Sequence, residues 1–140
     1  KVGNNVIIAN NVPLGGHVVI EDSVVIGGNS AVQQFTRIGR LAMIGGMTGV
    51  LKDVIPFGLS IGNRNHLQGL NLIGLRRKNY ENKKIMELNK AYNEIFSSKN
   101  LHENLGKING EFKGNQLVEE VINFIAKDKK RAICTPLNQD

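Results

Sequence analysis

Between Lys1 and Val54 the aliphatic positions recur every six residues. Cut into sixes, the stretch reads KVGNNV, IIANNV, PLGGHV, VIEDSV, VIGGNS, AVQQFT, RIGRLA, MIGGMT, GVLKDV. The second position of every hexad is aliphatic: Val2, Ile8, Leu14, Ile20, Ile26, Val32, Ile38, Ile44, Val50. The sixth is small or β-branched throughout, from Val6 to Val54, and glycine fills the third position at Gly3, Gly15, Gly27, Gly39 and Gly45. A period of six matches neither the 3.6-residue turn of a helix nor the two-residue alternation of an ordinary hairpin meander. It matches a parallel β-helix, in which each hexad is one short strand and a corner.

Three hexads close a triangular coil of 18 residues, so residues 18 apart stack. The pattern predicts three inward ladders: Val2–Ile20–Ile38, Ile8–Ile26–Ile44 and Leu14–Val32–Val50. Each coil climbs one strand spacing, roughly 4.8 Å, and three coils stand roughly 14 Å tall. The glycines suit corners that need positive φ or a close approach of backbones. Asn4, Asn5, Asn10 and Asn11 also fall at corners, where asparagine tolerates left-handed geometry.

The period ends at Pro56, which stands where another aliphatic residue is due and lacks a ladder donor. The sequence therefore divides into a β-helix over 1–58, a linker over 59–65 and a helical domain over 66–140. Within that domain 66–78 reads as helical despite Gly69 and Gly74. Residues 82–97 form an amphipathic helix with Ile85, Leu88, Tyr92, Ile95 and Phe96 on one face. Asn100 with Glu103 resembles a capping box opening a helix near 101–110. Leu117, Val118, Val121, Ile122 and Ile125 mark a last helix over 115–127. Lys1 is already in register with the repeat, and the expectation is a longer protein with further coils before it.

Charge adds one distinction. The net charge of +6 is uneven: residues 1–60 hold four basic and three acidic side chains, and residues 61–140 hold fourteen and nine. A basic second half suits an acidic partner, or is simply a solubilising surface. No apolar run approaches the ~18 residues of a membrane span. The lone Cys134 forms no intrachain disulfide and is compatible with a reducing cytosol.

Candidate chemistry gathers at three corners. His17 follows Gly15-Gly16, so its side chain points outward and a ligand can approach a backbone N–H closely; the alternative is an ordinary surface histidine. Gln33 and Gln34 can hydrogen-bond a polar ligand or belong to a solvated turn. Phe35 lies 18 residues after His17 and stacks on it. Gly45-Gly46-Met47 leaves a side-chain-free patch where an acyl chain can pass.

The hexads, the exit DVIPFG and the run Gly69-Leu70-Asn71-Leu72-Ile73-Gly74-Leu75-Arg76-Arg77-Lys78 together resemble the acyl-(acyl-carrier-protein)–UDP-N-acetylglucosamine O-acyltransferases that begin lipid A synthesis. The hexads alone indicate only the hexapeptide acyltransferase superfamily; the GLN–GLRR run is the specific part. The resemblance implies a left-handed parallel β-helix followed by a small C-terminal helical domain, an exception to the right-handed crossover rule. It implies a cytoplasmic homotrimer with sites between neighbouring prisms, acyl-carrier protein and UDP-N-acetylglucosamine as partners, no cofactor or metal, no nucleic acid and no stable membrane insertion. The implied reaction moves a 3-hydroxyacyl chain from acyl-carrier protein to the sugar 3-hydroxyl.

By the same resemblance Gly16 offers the oxyanion a backbone N–H, His17 and Gln34 hold substrate, and Gly46 bounds the acyl pocket. Asn71, Arg77 and Lys78 match an Asn and a basic pair that meet UDP phosphates. Gln33 and Arg64 stand where better-known members have histidine, Ile73 where some have glutamate, and Lys78 where the family has arginine. The general-base histidine falls before Lys1, so residues 1–140 alone are expected to be inactive. A sibling transferase using an acyl-CoA or another nucleotide sugar is the second reading. A γ-class carbonic anhydrase ranks last, because only His17 of its three required ligands lies on the prism.

Overall fold

The computed structural model describes residues 1–108 and 110–137. Seven two-residue strands come first: β1 (Ile7–Ile8), β2 (Val19–Ile20), β3 (Val25–Ile26), β4 (Ala31–Val32), β5 (Arg37–Ile38), β6 (Met43–Ile44) and β7 (Gly49–Val50). They pair in parallel at a constant offset of 18, Ile8 to Ile26 to Ile44, Ile20 to Ile38 and Val32 to Val50. Single bridges extend two faces downward, Val2 to Ile20 and Leu14 to Val32. The three ladders read from the hexads are therefore the core of a three-faced prism. Ile26, Ile38, Ile44 and Val50 are fully buried, whereas the lowest rungs Val2, Ile8 and Leu14 are exposed.

The left-handed corner position is not where the glycines are. Positive φ falls on the fifth residue of every hexad from Asn5 through Asn11, His17, Ser23, Asn29, Phe35 and Leu41 to Met47, at 56° to 66°, and no glycine occupies it. Such a conformation costs an L-residue roughly 1–2 kcal/mol, which the coil geometry imposes at each corner. The third-position glycines answer the other requirement, close approach. A Cβ on Gly27 would lie 2.5 Å from the Gly46 nitrogen, and one on Gly39 would run into Pro56.

Beyond Val50 the coil shortens by two residues, and Val54 bridges Ile38 at an offset of 16. The repeat does not stop at 58, and 59–65 is not a linker. β8 (Gly58–Ile61) continues the second face in parallel with β6, Ser60 opposite Ile44. The shift explains why Pro56 is tolerated. It lands at the fourth position, whose N–H the intercoil ladder leaves unused, so no ladder bond is lost. Residues 66–70 are likewise not helical. β9 (His66–Leu70) turns back antiparallel on β8, with Gly69 at a positive φ of 82° that a regular helix does not contain.

Four helices follow: α1 (Leu72–Arg77), α2 (Asn82–Ile95), α3 (Leu101–Ile108) and α4 (Gln116–Lys127). The face read for α2 is buried as expected, through Ile85, Leu88, Tyr92, Ile95 and Phe96. On α4 Phe124 is buried more deeply than Ile122. Asn115 caps α4, its Oδ1 accepting from Leu117 N and Val118 N, and its amide reaches Lys84 O. Asn100 caps α3 by accepting from Glu103 N at 3.3 Å; Glu103 returns to the Asn100 side-chain amide, not to its backbone.

The chain then comes back to the prism. Asp53 N donates to Ala132 O, Cys134 N to Asp53 O, and Leu67 N to Thr135 O. The fully buried Asp53 carboxylate accepts from Arg37 N and Nε and from Arg131 Nε and Nη2, at 2.7–3.2 Å. Arg40 joins coil, α4 and the turn after α1, donating to both oxygens of Glu120 and to Tyr80 Oη. Cys134 is buried against Ser60 Oγ at 3.5 Å, and desolvation pushes its thiol up to about 11.

Candidate functional site

The intercoil ladder uses the N–H groups of first, second, third and fifth positions and leaves the fourth without a backbone acceptor. Gly16 N makes no hydrogen bond among the described residues, while Gly16 O accepts from Phe35 N at 2.9 Å. A Cβ at Gly16 would meet nothing within 4 Å, and one at Gly46 only Gly28 O at 3.5 Å. Neither residue has positive φ. The fold does not require glycine at either place, unlike Gly15, whose Cβ would run into the Gln34 backbone. Bare backbone at Gly16 and Gly46 is therefore available for chemistry.

Gly16, Gln33 and Gln34 line an open groove of about 510 Å³ across the third face, with Pro13, Ala31 and Leu51 supplying its apolar floor. His17 adjoins it at the corner where the third face meets the first. Its ring lies flat on Phe35, with centroids 4.8 Å apart and planes at 2°. Neither imidazole nitrogen makes a hydrogen bond among the described residues. Above the groove Asn65 is buried and accepts from Leu51 N and Lys52 N, which fixes the turn that carries the exposed Arg64. Nothing in the hexad pattern signals this latch, because it depends on the two-residue shift after Val50.

The remaining candidates lie elsewhere. Gly46 sits at the corner between the second and third faces, directly over Gly28, outside the groove. Asn71 stands over the corner between the first and second faces: its N–H reaches Phe57 O and its side-chain amide reaches Leu41 O at 3.0 Å. Its Oδ1 caps α1 through Gly74 N at 3.1 Å. Part of the hydrogen-bonding capacity of Asn71 is therefore spent on holding α1 to the prism. Arg76, Arg77 and Lys78 close α1, exposed and without an acidic partner among the described residues. The candidate set is thus divided over all three corners, with Gly16 and the helix that carries Arg77 at different ones. His66, read above as helical, is in β9, beside Gly62.

Among the described residues no three His, Cys, Asp or Glu side chains converge on a common point, and no helix is long and apolar enough to cross a membrane.

The family model for UDP N-acetylglucosamine O-acyltransferase, domain 2, matches residues 53–134. An acyl-(acyl-carrier-protein)–UDP-N-acetylglucosamine O-acyltransferase of Rhizobium leguminosarum bv. trifolii is 45% identical over 137 residues, 97% of this chain and 50% of the relative. One from Anaeromyxobacter is 43% identical over 134 residues, 95% of this chain and 52% of the relative. Among solved structures, the Arabidopsis UDP-N-acetylglucosamine acyltransferase superimposes with a TM-score of 0.89 at 36% identity, over 96% of this chain and 50% of its own. That from Campylobacter jejuni gives 0.85 at 32%, over 96% and 52%. The shared fold is the left-handed parallel β-helix with short C-terminal helices. The chain spans about half the length of the curated relatives it matches.

Proposed function

This chain belongs to the UDP-N-acetylglucosamine O-acyltransferase family, and from that membership we propose that it supplies the later coils and helical domain of an enzyme acylating UDP-N-acetylglucosamine at the 3-hydroxyl. The donor is a 3-hydroxyacyl thioester of acyl-carrier protein, and the step is the first of lipid A synthesis. The sugar oxygen attacks the thioester carbonyl, its proton passing to a histidine base outside residues 1–140. The carbon–sulfur bond then breaks and the carrier-protein thiol leaves. Residues 1–140 alone lack that base and turn nothing over.

The proposed roles are those that the resemblance implies for each residue, and the placement of each group is compatible with them. Gly16 N–H, without a partner among the described residues, donates to the oxyanion as it forms. His17, Gln33, Gln34 and Arg64 border the third-face groove and hold the sugar nucleotide. Gly46 leaves room for the acyl chain. Arg77 and Lys78 meet phosphate, with Asn71 fixing the helix that carries them. No cofactor, metal or nucleic acid takes part. The enzyme works in the cytoplasm without inserting into the membrane, and the basic helical domain suits the acidic carrier protein.

One observation carries the reading: the site residues are split between corners that a single prism keeps apart. A ligand that touches both Gly16 and Arg77 needs two chains, which supports a homotrimer with sites between neighbours. The test uses the full-length protein, with His17→Ala and Arg77→Glu prepared separately and then co-expressed. If neighbours share each site, each variant alone is strongly impaired and the mixed trimers regain roughly a quarter of wild-type sites. Mixed trimers no more active than the parents would place both residues in one chain's site and overturn the shared arrangement. Transfer from acyl-CoA at equal efficiency would favour the sibling transferase.

A further inference from the structure

We propose that Phe35 is the positioning residue for His17, its ring being the surface that holds the imidazole ready for substrate. This rests on the reading that His17 contacts the sugar nucleotide. His17 and Phe35 occupy the same left-handed corner position in successive coils, with φ of 60° and 66°. Their Cα–Cβ directions are therefore parallel, and the 4.8 Å between ring centroids equals the rise of one coil. An interplanar angle of 2° makes the contact a flat stack. Among the described residues the imidazole has no hydrogen bond, so this face is what orients it. Without it, a surface side chain distributes over three χ1 wells.

Phe35 has no other evident task. Its ring is half exposed, at 52%, and outside the core. The corner above it is the one shortened by two residues, so no further left-handed side chain continues the column. A large aromatic group set in a left-handed corner, open above and covered below by a histidine with both nitrogens free, fits a support for that histidine. Stacking of this kind and the restriction to one rotamer together correspond to a roughly 3- to 10-fold advantage in the productive orientation.

The test is a double-mutant cycle in the full-length enzyme, using Phe35→Leu, Phe35→Tyr and His17→Ala, with kcat and KM for UDP-N-acetylglucosamine measured separately. Phe35→Leu keeps apolar bulk but removes the flat face; it should lower kcat/KM roughly 3- to 10-fold. Phe35→Tyr should restore it, and melting temperatures should match wild type. In a His17→Ala background Phe35→Leu should change nothing further. The ring-current shift of the His17 proton resonances should vanish in Phe35→Leu and persist in Phe35→Tyr. If the Phe35→Leu loss persists in His17→Ala, Phe35 touches substrate itself and the proposal is overturned. If His17→Ala is costly while Phe35→Leu is silent, positioning fails but substrate contact by His17 stands. If His17→Ala runs at the wild-type rate, the substrate-contact reading fails and takes the proposal with it.

Discussion

Replacing Gly27 by alanine should unfold the prism locally, and replacing Gly16 should not, although both are glycines of adjacent hexad positions in similar sequence. At Gly27 the new Cβ would lie 2.5 Å from Gly46 N, 2.7 Å from Gly46 Cα and 2.8 Å from Gly45 C. All three are backbone atoms, so no side chain can swing aside. Reaching ordinary contact requires the second and third coils to part by about 1 Å at that edge. The ladder bond from Gly27 N to Ile44 O, now 2.8 Å, would be stretched beyond hydrogen-bond range. One lost bond costs about 1 kcal/mol and overpacking about 1–3 kcal/mol, which together predict a loss of about 2–4 kcal/mol. At Gly16 nothing lies within 4 Å and φ is not positive. There the loss of unfolded-chain freedom should leave stability unchanged or raised by up to ~1 kcal/mol. Urea unfolding followed by circular dichroism, at one fixed protein concentration, reads both as shifts in midpoint at constant slope. A Gly27→Ala midpoint indistinguishable from wild type, or a Gly16→Ala loss as large as that of Gly27→Ala, would refute the separation of packing glycines from open ones.

Further outcomes follow from other parts of the molecule. Asp53→Ala strands Arg37 and Arg131 and should cost about 2–4 kcal/mol, below the full price of a buried pair because both arginines reach solvent; hydrogen exchange at Cys134 N should quicken, and unaltered exchange would count against a brace between tail and coil. Burial raises the Cys134 thiol to about 11 from 9.0, so between those values the unfolded chain loses a proton that the folded chain keeps, and stability falls as pH rises. The loss over that window should be roughly 2 kcal/mol and absent in Cys134→Ala; equal pH profiles would contradict the assignment. Gly46→Met, which meets no backbone closer than 3.5 Å at Cβ, should fold normally and shift the full-length enzyme toward shorter acyl donors. Unchanged donor preference in a chain-length series would take Gly46 out of the acyl pocket.

The prism was legible because its period is set by repeated local choices, an aliphatic residue every six and a stack every eighteen, which the pairings of Ile8, Ile26 and Ile44 follow. The identity of the left-handed corner was not legible. Glycine is the usual sign of positive φ, yet here the coil imposes that conformation on His17 and Phe35, and reserves glycine for contact between backbones. The end of the prism was misread for a related reason. A two-residue deletion breaks the period on paper while preserving pairing in space, so β8 reads as a loop and β9 as a helix. The candidate residues on the third face could be placed from the hexad count alone. The role of Asn71 in capping α1 and holding it to Leu41 could not, because that contact joins residues thirty apart through a change of period.

The antiparallel return of β9 has a consequence for modular growth of such a molecule. Up to Val50 every coil presents the same register to the next, so whole 18-residue units can in principle be duplicated or excised while the ladders stay aligned. At the upper end that translational equivalence is broken twice, by the shortened corner and by a strand running the wrong way, and the returning segment through Ile133 and Pro136 occupies backbone groups that another coil would use. A further parallel coil finds no template there. The length of the solenoid can vary only beneath this terminus, and filament-like stacking of one molecule on another is opposed at this end by backbone polarity.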